Sequence, residues 1–195
     1  MIDLLQRRRE MMAQAQGGGM PDGYTQKEWL VSNGAYTSLA LNLQYFTLET
    51  SLMWTSLGSN QLIGNGSSFF GLNTSNGWRT NGMAQSTSIA DFGTADTTST
   101  YTITYKRTSS AHIISNNGVT HTTSANAASA GYIFIFNIQN SNTYRCRAKM
   151  GITKIYDANN ALVSHLIPCI DSNNVSGMYD VVRQIFISHN TFTTE

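Results

Sequence analysis

The sequence predicts an all-β fold of two antiparallel sheets packed face to face, and three observations carry that prediction. Only 12% of the 195 residues are charged, and Ser, Thr, Asn and Gly supply most of the remaining polar positions, a composition of strands and turns rather than helices. Several segments alternate with a period of two. Phe46, Leu48 and Thr50 fall opposite Thr47 and Glu49, and residues 101–106 alternate as cleanly, as a half-buried strand requires. Short polar clusters punctuate the apolar runs. Asn116-Asn117-Gly118 is the strongest hairpin signal among them, because a tight two-residue turn needs positive φ. A chain of this length suits one β domain.

Taken in order, residues 1–16 differ from the rest. Ile2, Leu4, Leu5, Met11 and Met12 recur at near-helical spacing around Arg7, Arg8, Arg9 and Glu10. A helix of about four turns is marginal alone, and Gly17-Gly18-Gly19 follows as a hinge. Residues 1–19 are therefore expected to be an anchoring arm, docking through Ile2, Leu4, Leu5, Arg8, Met11 and Met12, and residues 20–195 the sandwich. Strands are expected at 28–31, 35–41 and 44–55. Short strands between glycine turns are expected over 58–81, and a Ser/Thr/Asp-rich surface loop over 87–100. Residues 111–115 and 119–123 flank the Asn-Gly turn. Residues 132–138 read as a central strand covered on both faces. In 144–152, Tyr144, Cys146, Ala148, Met150 and Ile152 share one face, with Arg145, Arg147 and Lys149 on the other. Asp157-Ala158-Asn159-Asn160 is a turn into the strand that starts at Leu162. Pro168 has no N–H for a ladder, so that strand should lie at an edge or break there. A turn at Asp171–Asn174, a second at Tyr179-Asp180 and a closing strand over 181–187 complete the chain.

The two ends resemble a known family. Ile167-Pro168-Cys169, the Asp171–Asn174 turn and Gly177-Met178-Tyr179-Asp180 are similar to the C-terminal signature of phage virion proteins with a concanavalin A-like (LamG-type) jelly roll. Met20-Pro21-Asp22-Gly23-Tyr24-Thr25 and Ser32-Asn33-Gly34-Ala35-Tyr36 resemble that family's opening pattern. The resemblance brackets residues 20–195. It implies a jelly roll displayed outward from a capsid or tail, as a decoration or head-fibre protein assembled in the host cytoplasm. The partners it implies are a capsid or tail protein of the same particle and further copies of the chain, a trimer being favoured.

The sequence offers little for catalysis. None of the four glutamates (Glu10, Glu28, Glu49, Glu195) has another acidic residue within four positions, so no local carboxylate pair is present for glycoside hydrolysis. His112, His121, His165 and His189 stand singly, His112 and His121 as surface or cross-strand residues beside the hairpin; no metal and no cofactor are expected. Cys146 and Cys169 read as buried thiols acting as small apolar groups. A net charge of +1 gives no field for nucleic acid or an anionic membrane, and no run is long enough to span one. Beside the virion role stands a carbohydrate-binding module. For that reading Trp54, Trp78, Tyr101 and Tyr105 are candidate sugar-stacking rings, and Arg145, Arg147 and Lys149 a contact stripe for an acidic partner.

Overall fold

The computed structural model describes residues 20–34, 37–58, 60–65, 68–82, 85–124, 131–136 and 146–195. The expected arm, with Ile2, Leu4, Leu5, Arg8, Met11 and Met12, lies outside that set, as does Arg145. The described residues form strands and turns with no α-helix, in two antiparallel sheets.

The larger sheet has 11 strands. Its main path runs β11 (Val119–Ser124), β10 (Ala111–Asn116), β9 (Tyr101–Arg107), β4 (Phe46–Trp54), β13 (Arg147–Asp157), β14 (Leu162–Asp171), β15 (Ser176–Asp180) and β16 (Ile185–Ser188). Three short strands join it: β1 (Tyr24–Gln26) on β14, β2 (Leu30–Asn33) on β13, and β17 (Phe192–Thr194) on β2. The smaller sheet has 6 strands, in the order β3 (Thr37–Leu43), β12 (Gly131–Ile135), β5 (Gln61–Asn65), β6 (Ser68–Leu72), β7 (Gly77–Gly82) and β8 (Gln85–Thr94). The chain crosses repeatedly from one sheet to the other, in a jelly-roll-like manner. As a result β9, β4 and β13, adjacent at the centre of the large sheet, come from distant parts of the sequence.

Alternation decides which residues meet between the sheets. Along β4, Phe46, Leu48, Thr50, Leu52 and Trp54 point inward while Glu49 is exposed. Along β9, Tyr101, Ile103, Tyr105 and Arg107 point inward. Aromatic rings then run continuously through the core. Phe46 packs on Tyr105 (5.7 Å between centroids), Tyr105 on Phe70 (5.9 Å), Phe70 on Trp78 (5.6 Å), and Trp78 on Trp54 (5.8 Å) and Tyr101 (5.0 Å). These tilted and offset arrangements are the ones the ring quadrupole favours.

The expected turns form, and their side chains show why. Asn117 (φ 48°) and Gly118 (φ 86°) close the β10–β11 hairpin with both central residues left-handed, as its tight turn demands. Asp171 Oδ1 accepts the Asn173 and Val175 N–H groups, and Asn174 takes φ 62°. Asp157 Oδ1 accepts the N–H groups of Asn159 and Ala161 at 2.9 Å each. Pro168 does not break β14. The Pro168 carbonyl accepts from Lys27 N–H, on the side where β13, last paired at Leu166, gives way to β1, first paired at Cys169. N–H and C=O of a strand residue face the same side, so the missing donor falls where one neighbour replaces another and no ladder bond is lost.

Four local expectations are corrected. Of the expected loop 87–100, residues 87–94 belong to the edge strand β8 and only 95–100 connect strands; Ile89 is buried while Ser88 and Ala90 are exposed, so a Ser/Thr-rich run serves as a one-sided strand. β12 is central in its sheet, yet Tyr132 is 54% exposed, so one face is open. In β13 the face assignment fails after Met150. A register shift between Met150 and Thr153 buries Gly151 and leaves Ile152 41% exposed, because an extra residue in one strand turns those after it to the other face. Finally, Tyr179-Asp180 ends β15, and Val181–Gln184 is the turn rather than part of a closing strand. Asp180 Oδ1 accepts Val182 and Arg183 N–H, and Gln184 N–H returns to the Asp180 carbonyl. A side-chain cap thus overrides the strand preference of two valines.

The stretches carrying the family resemblance are in contact. β1 pairs with β14 at residues 169–171, and the Tyr24 ring lies 4.8 Å from Tyr179 and 5.3 Å from Phe186. Gly177 is required there, since a Cβ would sit 2.5 Å from the Ile187 carbonyl oxygen and 2.7 Å from the Phe186 ring.

Candidate functional site

At one end of the sandwich three adjacent strands of the large sheet stop together. β4 begins at Phe46, opposite Arg107 at the end of β9 and Asp157 at the end of β13. Three connections meet over these ends: residues 44–45, which cross from the small sheet to the large one, and the turns 108–110 and 158–161. Between them lies a hollow of about 190 Å³ lined by Tyr45, Phe46, Thr47, Lys106, Arg107, Thr108, Ser109, Asp157, Ala158 and Asn160.

Its walls are fixed by their own hydrogen bonds. Thr108 Oγ1 donates to the Ala111 carbonyl at 3.0 Å and accepts Ala111 N–H at 2.9 Å. The Asp157 cap holds the opposite wall, and Asn160, at φ 62°, sends its N–H to the Asp157 carbonyl. Tyr45 is half-buried and contributes its ring to the lining. Arg107 is buried, its pKa lowered by burial, and the Tyr105 and Tyr45 side chains interact with it electrostatically. An aromatic surface, hydroxyls, an amide, a carboxylate and two cations converge on one concave, preformed place, the pattern of a small-ligand site.

Behind Arg107 a polar cluster bridges the sheets. His112, on β10, is buried with its Nδ1 2.8 Å from Thr80 Oγ1 on β7. The Thr80 hydroxyl also lies 3.1 Å from the Phe69 carbonyl, and Tyr105 Oη lies 3.4 Å from His112 Nδ1, so the ring nitrogen sits in a closed polar cluster. Of the two expected places for His112, surface or cross-strand, the surface one is overturned, since the ring is buried. Burial, and then the Arg107 charge, pull its pKa down from 6.5 to about 4. Between those values the unfolded chain binds a proton that the folded chain refuses. Stability should therefore fall as pH drops from about 6.5 to about 4, by about 3 kcal/mol at 1.36 kcal/mol per pKa unit. Urea midpoints at pH 7 and 4.5 measure this, and His112→Gln should remove most of the slope. An equally steep slope in the variant would rule out His112 as its source.

The residues expected to bind sugar are placed elsewhere. Trp54 and Trp78 are 0% exposed, and Tyr101 and Tyr105 are buried with them. The Tyr101 hydroxyl is engaged as well, donating to Asp96 Oδ2 and accepting Asp96 N–H. None of the four rings presents a face to a ligand; period-two patterning identifies a strand but not which face is inside. In the cationic stripe Arg147 is exposed, but the Lys149 ammonium is bonded to the Glu195 carboxylate. Cys146 and Cys169 are buried free thiols; burial raises the pKa of Cys146 well above its ordinary value and that of Cys169 to about 11, so neither is a thiolate nucleophile at neutral pH. Among the described residues no three His, Cys, Asp or Glu side chains converge as a metal site would require.

Sequence reasoning missed Tyr45, Lys106, Thr108, Ser109 and Asn160 as one site. Each sits at a strand end or in a turn, which was the available signal. Their convergence depends on β4 lying between β9 and β13, which no local pattern encodes.

No protein-family profile and no curated protein matches the chain. Solved structures do resemble it. Trypanosoma rangeli sialidase in complex with sialic acid aligns at a TM-score of 0.54 and 14% identity, over 80% of this chain and 27% of that one. The full extracellular region of zebrafish Gpr126/Adgrg6 aligns at a TM-score of 0.51 and 14% identity, over 90% of this chain and 26% of that one. The chain thus spans about a quarter of each, and what it shares with them is a fold, the two-sheet antiparallel β-sandwich with jelly-roll-like crossings.

Proposed function

We propose that the protein is a carbohydrate-binding module whose site is the rim hollow. The observation that carries this reading is the preformed convergence of the Tyr45 ring with Thr108, Ser109, Asp157 and Asn160. A flat aromatic face suits the C–H side of a pyranose, and fixed hydroxyl, amide and carboxylate groups suit its hydroxyls. A hollow of about 190 Å³ is smaller than the roughly 300–1,000 Å³ that holds drug-sized ligands, and fits one sugar ring. At about −0.3 kcal/mol per atom, a ring of roughly 12 non-hydrogen atoms gives about −4 kcal/mol, a Kd of about 1 mM. Affinity of that order becomes useful through multiple copies.

NMR titration with simple methyl pyranosides, extended to sialyl sugars because of the shared sandwich fold, is expected to shift amides of Tyr45, Thr108 and Asn160. Tyr45→Ala should weaken binding about tenfold, the loss of about 1.4 kcal/mol of stacking contact. Unchanged affinity in Tyr45→Ala would place the sugar elsewhere.

A second reading follows the resemblance to phage virion proteins with a concanavalin A-like jelly roll. There the sandwich would be displayed from a capsid or tail through residues 1–19, as a trimer. What supports it is that the two resembling stretches form one unit, with β1 on β14 and Tyr24 against Tyr179. Mass spectrometry of purified particles decides it, since absence of the chain from every particle fraction rules it out.

A further inference from the structure

We infer that the rim hollow selects a pyranose bearing an anionic substituent, a carboxylate or a sulfate, over its neutral counterpart; the inference rests on the carbohydrate-binding reading above. Adjacent residues at the end of β9, Lys106 and Arg107, both line the hollow, and Asp157 is the one acidic residue in its lining. The Asp157 carboxylate is turned to its own backbone, Oδ1 accepting Asn159 and Ala161 N–H. The lining therefore carries a surplus of one positive charge. Arg107 is held in the inner layer, where low polarisability of the surroundings strengthens its attraction for an anion, while Lys106 stands exposed at the entrance.

The same inventory argues against the common alternative in which a divalent cation bridges protein and sugar. Such a site needs several oxygen ligands, carboxylates among them, to balance the cation's charge, and here cations outnumber carboxylates. The cationic pair instead suits a ring that rests on Tyr45 while its charged substituent meets the exposed Lys106 ammonium, the buried Arg107 charge adding its attraction from behind.

Four probes test this on the full chain by NMR titration: methyl β-glucuronide, glucose 6-sulfate, methyl β-glucoside and acetate. At low salt, one or both charged sugars should bind about tenfold more tightly than the glucoside, and comparison of the two tells carboxylate from sulfate. Lys106→Gln, at an exposed position, should cut that preference to about threefold. Roughly 1 M salt should reduce it likewise, since screening then acts within about 3 Å. Equal affinity of both charged sugars and the glucoside, with the same amides shifting, overturns the inference and leaves the sugar reading intact. Acetate binding as tightly as glucuronide also overturns it, because the ring is then not recognised. If no pyranose shifts the Tyr45, Thr108 or Asn160 amides, the carbohydrate reading falls and this inference with it.

Discussion

Trp78→Ala is expected to destabilise the sandwich by about 3–5 kcal/mol, the usual cost of removing a large aromatic side chain from a closed core. Trp78 is fully buried on the small sheet and touches four other rings, Trp54 and Tyr101 from the large sheet and Phe70 and Phe92 from its own. Its loss removes apolar contact area and opens a cavity that two hydrogen-bonded sheets cannot collapse to fill. Urea unfolding followed by far-UV circular dichroism measures the change, and Trp54→Ala should behave alike. The result also separates a core ring from a ligand-stacking one. A Trp78→Ala protein of unaltered stability that had lost sugar binding would mean the ring faces solvent.

Asp180→Ala should cost a similar amount, about 3–5 kcal/mol, by a different route. Asp180 is completely buried, and its carboxylate accepts from Ser164 Oγ (2.5 Å), His165 N–H (3.2 Å), Val182 N–H (3.0 Å), Arg183 N–H (3.2 Å) and Arg183 Nε (2.6 Å). Arg183 in turn donates to the Leu39 carbonyl on β3, so one carboxylate ties the C-terminal hairpin of the large sheet to the edge of the small one. Removing it leaves a largely buried guanidinium without its counter-charge and several donors without an acceptor. For a domain of this size, each kcal/mol lowers Tm by about 2–4 °C, so a drop of roughly 10 °C is expected by calorimetry. Asp180→Asn should lose less, since one oxygen still accepts the backbone N–H groups. Burial alone raises the Asp180 pKa, but the bonds from Ser164, Arg183 and His165 outweigh it and the net shift is downward from 3.8. A depressed folded pKa gives stability that is present above the ordinary aspartate range and lost as pH falls through it. Acid unfolding should therefore show two stages, a His112 stage above about pH 4 and an Asp180 stage below it. An Asp180→Ala variant within 1 °C of the parent would show that the clamp does not contribute to stability.

Much of the fold could be read locally because its determinants are local. The two faces of β4 followed from period two, and the turns at 116–118, 157–160 and 171–174 from residues that tolerate positive φ or bond their own backbone. Where two local signals competed, the reading failed. Val181 and Val182 look like strand until Asp180 caps the turn, and residues 87–94 look like loop until β7 offers them a partner. The site was less legible than the fold. Trp54, Trp78, Tyr101 and Tyr105 attract attention as large aromatic residues, but large aromatic residues are also what a sandwich core requires.

By itself, then, the sequence determined the class of structure, the alternation of its strands and the chemistry of its tight turns, all properties set within a few residues. Only the tertiary structure decided which strands are neighbours and which end of each reaches a shared rim. Those depend on pairings between segments as far apart as Phe46 and Asp157, and on register, in which one inserted residue at Gly151–Ile152 reverses what a strand shows to solvent.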